Sequence, residues 1–439
     1  MAINGPMTGI KVIELGNMIA AAACTRMMAD LGADVIKVEN TKGGDTFRAW
    51  PRMVGAPVED ECNPIFDNLN ANKRSVSVDL KTPEGVQIIY KLLESADVFV
   101  TNVRTRGLGH MGLDYETLKV KFPKLVMGQL GAYGTKGPDK DKPGYDNTAF
   151  WARSGFMYGQ KVDREGEPQA IPVYQPMAVG DISCACALMA GINAALLKAR
   201  ESGKGDRIVV PLYGMAMWMT NIQSTGTQFG YTYPKTRDIS SPFGAPYLCK
   251  DGRWFMPQVT NFVRDKDKFY TAIGCEDLIG VPEYAVRTNF NKKEFNAPFI
   301  KKLEAIFATK TADEWCEIFK GFDLCYEKLY TYEEVLVDEQ AIVNDYIYTM
   351  DYPEGRSFKT IRTAIRSDNT GLCEIKRGPM LGENTVEIMQ KVGLTHREVK
   401  SSIRRQILMV FFLPLLMAML HISIAFPLIR RMLLLFGMT

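Results

Sequence analysis

The chain contains 439 residues, of which 46% are hydrophobic and 23% are charged. This composition excludes a disordered or fibrous protein and supplies apolar material for two or three domains. The formal net charge of +3 is too small a bias to indicate nucleic acid as a partner. Nine cysteines at irregular spacing include no CxxC pair and no Cys/His set with zinc-ligand spacing. We therefore expect reduced thiols, no metal site and a cytoplasmic location, since the N-terminus also lacks a secretory signal.

The first 130 residues alternate between short apolar runs and helical segments. Strands are predicted for five runs: IKVIEL, ADVIKVE, RSVSVDL, DVFVTNV and LVMGQL. Between them, helices are predicted for AAAACTRMMADLG, PEGVQIIYKLLESA and YETLKVKF. Strands that alternate with helices in this way indicate an α/β fold with a parallel or mostly parallel sheet.

The second part of the chain changes in texture. Ala-rich residues 182–200 predict a closely packed helix, followed by a glycine-marked turn and the strand RIVVPLY. After about residue 222, Pro, Gly, Tyr and Thr dominate, which predicts a linker or long loop and the start of a second domain. YLCKDGRWFMPQV predicts a β-hairpin with a central Asp-Gly. Helices are expected around 264–273, 297–308 and 311–320.

Two motifs that resemble functional sites are better explained by structure. GLGHMG at 107–112 matches GxGxxG, but the first βα turn has no such pattern, so dinucleotide binding is not expected. Cys184 and Cys186 lie two residues apart in a predicted helix, where their side chains diverge, which favours packing over metal or redox chemistry. The sequence has three histidines, at positions 110, 396 and 421. Ser-His or Cys-His catalysis therefore has little support.

Gly180-Asp181 stands where a loop meets the Ala-rich helix. An Asp at a helix N-terminus usually acts as an N-cap. The alternative uses the same physics: free N–H groups and the helix dipole keep the carboxylate ionised, and the preceding glycine lets a substrate approach closely. An exposed carboxylate in that position is a candidate nucleophile. The residues alone leave both interpretations of Asp181 open.

Several strings, in order from about residue 8 to residue 395, carry a specific resemblance. They are GADVIKVEN with GGDTFR, NANKRSVSVDLKTPEG, ADVFVTN, LGHMGLDYETL, DKPGYD, VGDISCACALMAGINAALLKARESGKGDRIVV, CKDGRWFM and LVDEQAIVNDY. Together they resemble the class III CoA-transferases. TNVR, KDKPGYD and DEQAIVND are most similar to the anaerobic (R)-2-hydroxyacyl CoA-transferases of amino-acid fermentation.

The resemblance implies that Asp181 is the catalytic aspartate of that family. There, the carboxylate attacks an acyl-CoA thioester to form a mixed anhydride, and the released CoA thiolate then forms an aspartyl-CoA thioester. A carboxylic acid, here expected to be an (R)-2-hydroxy acid, receives CoA when these steps run in reverse. Thioester exchange is nearly isoenergetic, so we expect no cofactor beyond the CoA thioesters that serve as substrates. Water must be kept out, because an anhydride hydrolyses.

The resemblance also implies a set of CoA contacts. Positions that match the family's CoA site are Val78, Lys81, Asn102, Met111 and Tyr145. Asp146 stands in the substrate pocket where formyl-CoA transferase has a glutamate. Without the resemblance, Lys81 would be interpreted as a surface lysine and Asn102 as a turn residue at a strand end.

Three positions of the CoA site depart from the family pattern. Asn40 replaces an arginine that packs on the adenine, His110 replaces an arginine that faces the phosphates, and Ile19 replaces a glutamine near the thioester. A neighbouring lysine, Lys37 or Lys42, is a candidate source of nucleotide affinity. The segment SSPFGAP at 240–246, which contains Gly244, stands where formyl-CoA transferase has a glycine-rich lid. The bulkier lid and the apolar Ile19 predict an apolar acyl group rather than oxalate or formate.

The family fold is an interlocked homodimer in which each chain threads the other. The resemblance implies a large α/β CoA-binding domain built from both chain ends, residues 1–222 and 335–400. A linker and small domain, residues 223–334, are expected between them. The expected partners are thus a second copy of the chain, an acyl-CoA and a carboxylic acid.

Two other functions are open at the sequence level. One is a racemase of 2-methylacyl-CoA on the same fold, in which an Asp/His pair exchanges the α-proton. The histidine gap from 111 to 395 argues against it, and α-deuterium exchange would revive it. The other is a membrane component without enzymatic activity, which a soluble and active protein ending at residue 400 would exclude.

Residues 401–439 do not fit the rest of the chain. Residues 407–429 carry no formal charge, are long enough to span a bilayer and are bracketed by arginine pairs. The segment resembles a transmembrane segment of an FtsX-like bacterial permease. We interpret it as a fusion or a sequence join rather than an evolved anchor, so membrane association is expected only if the segment is genuine.

Overall fold

The computed structural model describes residues 5–161, 172–173, 176–233 and 236–393. They form two compact units. The first comprises the described residues within Met1–Met157, Val173–Ser224 and Asn344–Thr439, and the second those within Tyr158–Pro172 and Thr225–Val343. The segment 401–439, with its candidate membrane span, lies outside the described residues.

The first unit is built on a six-stranded parallel sheet. Its strands are β1 (Lys11–Leu15), β2 (Asp34–Glu39), β3 (Arg74–Ser77), β4 (Val98–Thr101), β5 (Val126–Gly131) and β6 (Arg207–Pro211). The strand order is β3-β2-β1-β4-β5-β6, and every neighbouring pair is parallel. All six predicted strands and the parallel α/β class are therefore confirmed. Because the chain runs outward in both directions from β1 and β4, the topological switch point lies between these two strands.

Helices connect the strands, and several begin at side chains that suit a helix start. In chain order they are α1 (Ala20–Asp30), α2 (Trp50–Met53), α3 (Pro64–Asn70), α4 (Pro83–Leu93), α5 (Thr105–Met111), α6 (Tyr115–Lys121), α7 (Phe156–Gly159), α8 (Val179–Ser202), α9 (Leu212–Met219) and α10 (Asn221–Gly226). Thr82 accepts the Gly85 N–H at the start of α4, and Asp114 accepts the Thr117 N–H at the start of α6. These bonds satisfy N–H groups that have no partner inside the helix.

The core of the first unit lies where α8 packs on α1 and β5. The small side chains predicted for α8 allow this close approach: a Cβ on Gly191 would lie 2.6 Å from the Ile208 side chain. Among the described residues, α8 alone is long and apolar enough to cross a membrane. Length and composition of this kind also fit a core helix, and α8 contributes Cys184, Leu188 and Ile192 to the core.

The second unit contains a three-stranded antiparallel sheet and an aromatic core. Its strands are β7 (Tyr247–Leu248), β8 (Trp254–Gln258) and β9 (Cys325–Lys328), and its helices are α11 (Phe262–Ala272), α12 (Pro282–Ala285), α13 (Lys293–Phe307), α14 (Ala312–Gly321), α15 (Tyr332–Val335) and α16 (Glu339–Val343). The β7-β8 pair is the hairpin predicted around Asp-Gly. Phe243 lies at the centre of the core, with edge contacts to Phe262, Phe269 and Phe290.

The chain then returns to the first unit. Strands β10 (Ile347–Asp351) and β11 (Ser357–Ile361) form an antiparallel pair, and α17 (Thr385–Lys391) follows. The return segment is tied to α3, because Tyr352 donates to Asp67 at 2.6 Å and the Gly378 N–H donates to the same carboxylate at 3.0 Å. The last part of the described chain thus packs on the first.

The prediction of a linker or long loop from about residue 222 was wrong for residues 222–229, which are helical. Helix α10 and a 3₁₀ turn at Thr227–Phe229 extend the helical backbone, and the Ser224 N–H still donates to the Thr220 carbonyl. The turn ends at Gly230, whose φ of 82° is the left-handed conformation that terminates helices. The segment contains glycine and proline, but none of these residues ends the helical backbone before Gly230.

Candidate active site

Loops at the carboxyl edge of the parallel sheet carry four of the predicted site residues. Ile19 follows β1, Asn40 follows β2, Lys81 follows β3 and Asn102 follows β4. Loops at this edge of a parallel sheet, around the switch point, are where such folds bind their ligands. The fold therefore brings these four sequence positions to one edge of the first unit.

The surroundings of these side chains differ. Ile19 is buried in an apolar cluster with Phe47, Phe66 and Ala178. Asn40 closes its own turn, because it donates to the Gly44 carbonyl at 2.6 Å and accepts the Lys42 N–H at 2.8 Å. The Asn40 side chain thus shapes a loop where the family pattern has an arginine.

The other CoA positions lie on or beside short helices. His110 and Met111 are in the last turn of α5, which ends at the left-handed Gly112. The string GLGHMG is therefore helical and does not form a phosphate-binding loop. Val78 is completely buried in the core, whereas Lys81 and Tyr145 are exposed.

Asp181 is the third residue of α8 and lies partly buried. The interpretation of Asp181 as the N-cap was wrong, because Ala178 occupies that position with a φ of 73° and no side-chain cap. A left-handed alanine is uncommon and marks a backbone that is held by its surroundings. The helix therefore begins at Val179, three residues before the predicted start at residue 182.

The N–H groups at the start of α8 face a carboxylate from another element. Asp146 is the first residue of a π-helical segment, Asp146–Ala152, and it is nearly fully buried. The backbone amides of Ala178, Gly180 and Asp181 lie against this carboxylate, and Trp151 donates to it from Nε1 at 3.3 Å. Gly180 is required here, since a Cβ would lie 2.0 Å from Asp146 Oδ1.

These contacts place two carboxylates side by side. Burial raises the pKa of Asp181 to about 7, and the neighbouring charge of Asp146 adds to the effect. Burial also raises the pKa of Asp146, although Trp151 and the backbone amides oppose this. The expectation that the helix dipole keeps the Asp181 carboxylate ionised was wrong, because the amides that would do so face Asp146 instead. A carboxyl group with such a pKa is a candidate functional group.

A buried network of ion pairs joins β1 to β2 and to the residue before β3. Lys37 pairs with Glu14 at 2.5 Å and with Asp45 at 2.8 Å, and Lys73 pairs with Glu14 at 2.8 Å. The Lys37 side chain is completely buried, so the expectation that it could contact a nucleotide was wrong. Lys42 is exposed on the loop after β2. Sequence reasoning missed this network, although Glu14 and Lys37 are cross-strand neighbours and each is flanked by apolar residues.

Thiol chemistry has no support near Asp181. Burial raises the pKa of Cys184, and the charges of Asp181 and Asp146 raise it further. Burial also raises the pKa of Cys186. Because the thiolate is the reactive form, both residues are poor nucleophiles. Within the part of the chain that the structure describes, no group of three His, Cys, Asp or Glu side chains could hold a metal ion.

A cavity of about 560 Å³ opens at the opposite, amino edge of the sheet. Both of its arginines are engaged in ion pairs: Arg74 with Asp34 at 2.7 Å and Arg377 with Glu383 at 3.0 Å. Its lining therefore carries no chemistry comparable to the carboxylate pair. Gly244 belongs to the second unit, in the loop before β7, where a Cβ would lie 2.9 Å from Gln258 Oε1.

Comparisons with known proteins agree on one family. The family model "CoA-transferase family III" matches residues 7–385. The chain is 39% identical over 398 residues to cinnamoyl-CoA:phenyllactate CoA-transferase of Clostridium sporogenes, covering 90% of this chain and 95% of that protein. It is 36% identical over 397 residues to (R)-2-hydroxy-4-methylpentanoate CoA-transferase of Clostridioides difficile, covering 90% and 97%.

A solved structure gives the same answer for the fold. A CAIB/BAIF family protein from Brucella suis superposes with a TM-score of 0.73 at 28% identity, over 89% of this chain and all of that one. The match of the family model ends at residue 385. The resemblance of residues 401–439 to a permease segment therefore stays a prediction.

Proposed function

The chain belongs to CoA-transferase family III, and we propose that it transfers CoA from an acyl-CoA to an (R)-2-hydroxy acid through Asp181. The proposal for the substrate is supported by the names of two relatives, which act on phenyllactate and on (R)-2-hydroxy-4-methylpentanoate. Both of these acids carry an apolar side chain. The apolar cluster around Ile19, where the family pattern has a glutamine, is consistent with such a group.

In the proposed cycle, the Asp181 carboxylate attacks in the first step and is the leaving group in the last step. Its oxygen attacks the acyl-CoA carbonyl, the C–S bond breaks, and a mixed anhydride and CoA thiolate result. The thiolate attacks the aspartyl carbonyl, which releases the first carboxylate and leaves an aspartyl-CoA thioester. The acceptor carboxylate then attacks this thioester, and the returning thiolate attacks the acceptor's carbonyl to give the new acyl-CoA and free Asp181. Atoms and charges balance without any bound cofactor.

The single observation that carries the proposal is the Asp181 carboxyl itself. Burial and the neighbouring charge of Asp146 raise its pKa to about 7, and it lies in the first turn of α8. A carboxylate with a raised pKa is a better nucleophile than an ordinary one, and about half of it is ionised near neutral pH. Gly180 lets the Asp146 carboxylate approach the start of α8 closely.

The CoA moiety is proposed to lie along the carboxyl edge of the sheet. Lys81 and Lys42 are exposed there, and His110 is exposed on α5. Exposed lysines at the edge where such folds bind their ligands suit the phosphates of CoA. Tyr145, which is 73% exposed and immediately precedes Asp146, would lie over the pantetheine end.

A homodimer acting in the cytoplasm is also proposed. The surface of α8 and the helices after it exposes large apolar side chains: Ile182, Leu197, Met217, Trp218 and Ile222. Large apolar side chains exposed in this number are typical of an interface. Because threaded chains separate only when they unfold, replacing Ile222, which is 77% exposed, by Glu should lower the yield and the Tm of the dimer, and wild-type light scattering together with a wild-type Tm would contradict this surface assignment.

The experiment for the proposed function combines transfer and trapping. The protein is incubated with cinnamoyl-CoA or 4-methylpentanoyl-CoA and a panel of (R)-2-hydroxy acids, with oxalate as the comparison acceptor. We expect new 2-hydroxyacyl-CoA products and a CoA adduct on Asp181 by mass spectrometry, both absent in Asp181→Ala. Transfer that persists in Asp181→Ala would reject the nucleophile, and a preference for oxalate would reject the substrate class.

A further inference from the structure

One side chain fixes the loop between β1 and α1 at the switch point. Asn102, the first residue after β4, donates from Nδ2 to the Asn17 carbonyl oxygen at 2.7 Å. Its Oδ1 accepts the Asn17 backbone N–H at 3.0 Å. The Asn17 side chain in turn accepts the backbone N–H and the hydroxyl of Thr46 at 2.8 and 2.9 Å. Both ends of the Asn102 amide are thus used on one backbone residue.

The next residue of this loop is strained. Met18 has a φ of 65°, a left-handed conformation that is unfavourable for a residue with a Cβ. Its N–H donates to Asp45 Oδ1 at 2.8 Å, and that oxygen also accepts the Phe47 N–H at 2.9 Å. The other oxygen of Asp45 pairs with the buried Lys37. A strained residue persists where its surroundings over-determine it, and such residues cluster at functional sites.

The strained loop is linked by side-chain packing to the start of α8, the helix that carries Asp181. Ile19, next to Met18, shares one apolar cluster with Ala178. Ala178 is the left-handed residue that begins α8, and Asp181 follows three residues later. A displacement of the Asn17–Ile19 loop is therefore passed to the start of α8 through packed side chains.

We propose that Asn102 is a positioning residue for CoA transfer: its amide clamps the β1–α1 loop, so that Ile19 supports the start of α8 and holds Asp181 in place. This inference rests on the proposed function. It differs from the direct CoA contact that the family resemblance implies, because Asn102 acts through its two hydrogen bonds to the Asn17 backbone. Thr46, which matches none of the implied CoA positions, belongs to the same clamp.

The test compares two truncations on the same pair of strands. Asn102→Ala removes the clamp at the carboxyl ends of β4 and β1. Asp97→Ala, the matched control, removes the bond from the Lys11 N–H to Asp97, 2.8 Å, at their amino ends. Because reaction rates are sensitive to displacements of about 1 Å, we expect kcat of Asn102→Ala to fall about 10- to 100-fold. KM for the acyl-CoA should stay within about twofold, and Asp97→Ala should keep both constants.

A second variant removes a hydrogen bond on the other side of Asn17. It keeps the proposal testable if Asn102→Ala does not fold. Thr46→Val keeps the backbone N–H bond to Asn17 and removes the hydroxyl bond. We expect a kcat loss of about two- to fivefold without a KM change, and no further loss when it is combined with Asn102→Ala. A KM increase with unchanged kcat in Asn102→Ala would assign the side chain to CoA binding and overturn the proposal.

The proposed function and the positioning role can fail separately. Absence of transfer by the wild-type protein, or its persistence in Asp181→Ala, rejects the function. Transfer that needs Asp181 while both constants of Asn102→Ala match the wild type rejects only the positioning role.

Discussion

Two buried carboxylates of the first unit have opposite electrostatic surroundings. Glu14, in the central strand β1, is completely buried and accepts bonds from Lys37, Lys73 and Thr25 at 2.5, 2.8 and 2.6 Å. Burial alone would raise the pKa of Glu14, but the two lysines outweigh it and lower the pKa to about 2. Glu14 is therefore permanently ionised and fully partnered.

Asp181 has a carboxylate for a neighbour instead of cations. Burial and Asp146 raise its pKa to about 7, so its charge is present only in part near neutral pH. Burial of a charge therefore does not by itself identify a functional group. The partners decide: a charge neutralised by two lysines stabilises the fold, whereas an unneutralised one is available for reaction. Four substitutions test this contrast.

The largest effect is expected for Asp181→Asn, which keeps shape and removes the nucleophile. Loss of a covalent nucleophile should reduce kcat by at least about a thousandfold. Because the folded-state pKa of Asp181 is raised, ionisation costs stability as the pH rises through about 7, and the neutral amide removes that cost. We therefore expect an unchanged or higher Tm at about pH 8. Transfer assays check the loss of kcat, and thermal unfolding checks the Tm. A large loss of Tm would show that the Asp181 carboxylate stabilises the fold as Glu14 does.

The same chemical change in the other carboxylate should have the opposite outcome. Glu14→Gln leaves Lys73 without its anion and Lys37 with Asp45 alone. Breaking a buried pair by removing one partner costs about 3–5 kcal/mol. Denaturant unfolding should show this loss, while the activity per folded molecule stays within about threefold. A stable Glu14→Gln protein without activity would place Glu14 in the reaction and break the comparison.

The sequence indicated the proposed nucleophile, Asp181, more readily than the buried Glu14. Gly180-Asp181 precedes an Ala-rich helix, and this local pattern, together with the family resemblance, selected Asp181. Its electrostatics were mispredicted because Asp146, which takes the helix N–H groups, is 35 residues away and arrives by tertiary folding. Strands and the parallel sheet were predictable because period and composition are local signals.

Glu14 and Lys37 illustrate what a sequence pattern conceals. Each is a charged residue flanked by apolar residues in its strand, which alternation assigns to a solvent-facing position. Only the register of β1 with β2, in which Glu14 lies opposite Lys37, makes the pair visible. The Asn102 clamp on Asn17 was missed for the same reason, since it joins loops 85 residues apart.

An intermediate effect is expected for Gly180→Ala. The new methyl group would lie 2.0 Å from Asp146 Oδ1 and 2.4 Å from Phe150 Cγ, so the carboxylate pair must separate. We expect kcat to fall about 10- to 100-fold, with an overpacking cost of about 1–3 kcal/mol. The control is Gly321→Ala at the end of α14, where a Cβ meets nothing within 4 Å. Wild-type kcat in Gly180→Ala would show that the pair tolerates displacement.

The smallest effect, and the most specific, is a pH shift in Asp146→Asn. Removing the neighbouring charge lowers the pKa of Asp181, while the amide oxygen can still accept the N–H groups at the start of α8. Since the ionised form is the nucleophile, kcat/KM rises with pH through the pKa of Asp181. The acid limb of the profile should therefore move to lower pH by about one unit. If the acid limb stays near pH 7, burial alone raises the pKa of Asp181. Asp146 would then accept the N–H groups at the start of α8 without affecting the reaction.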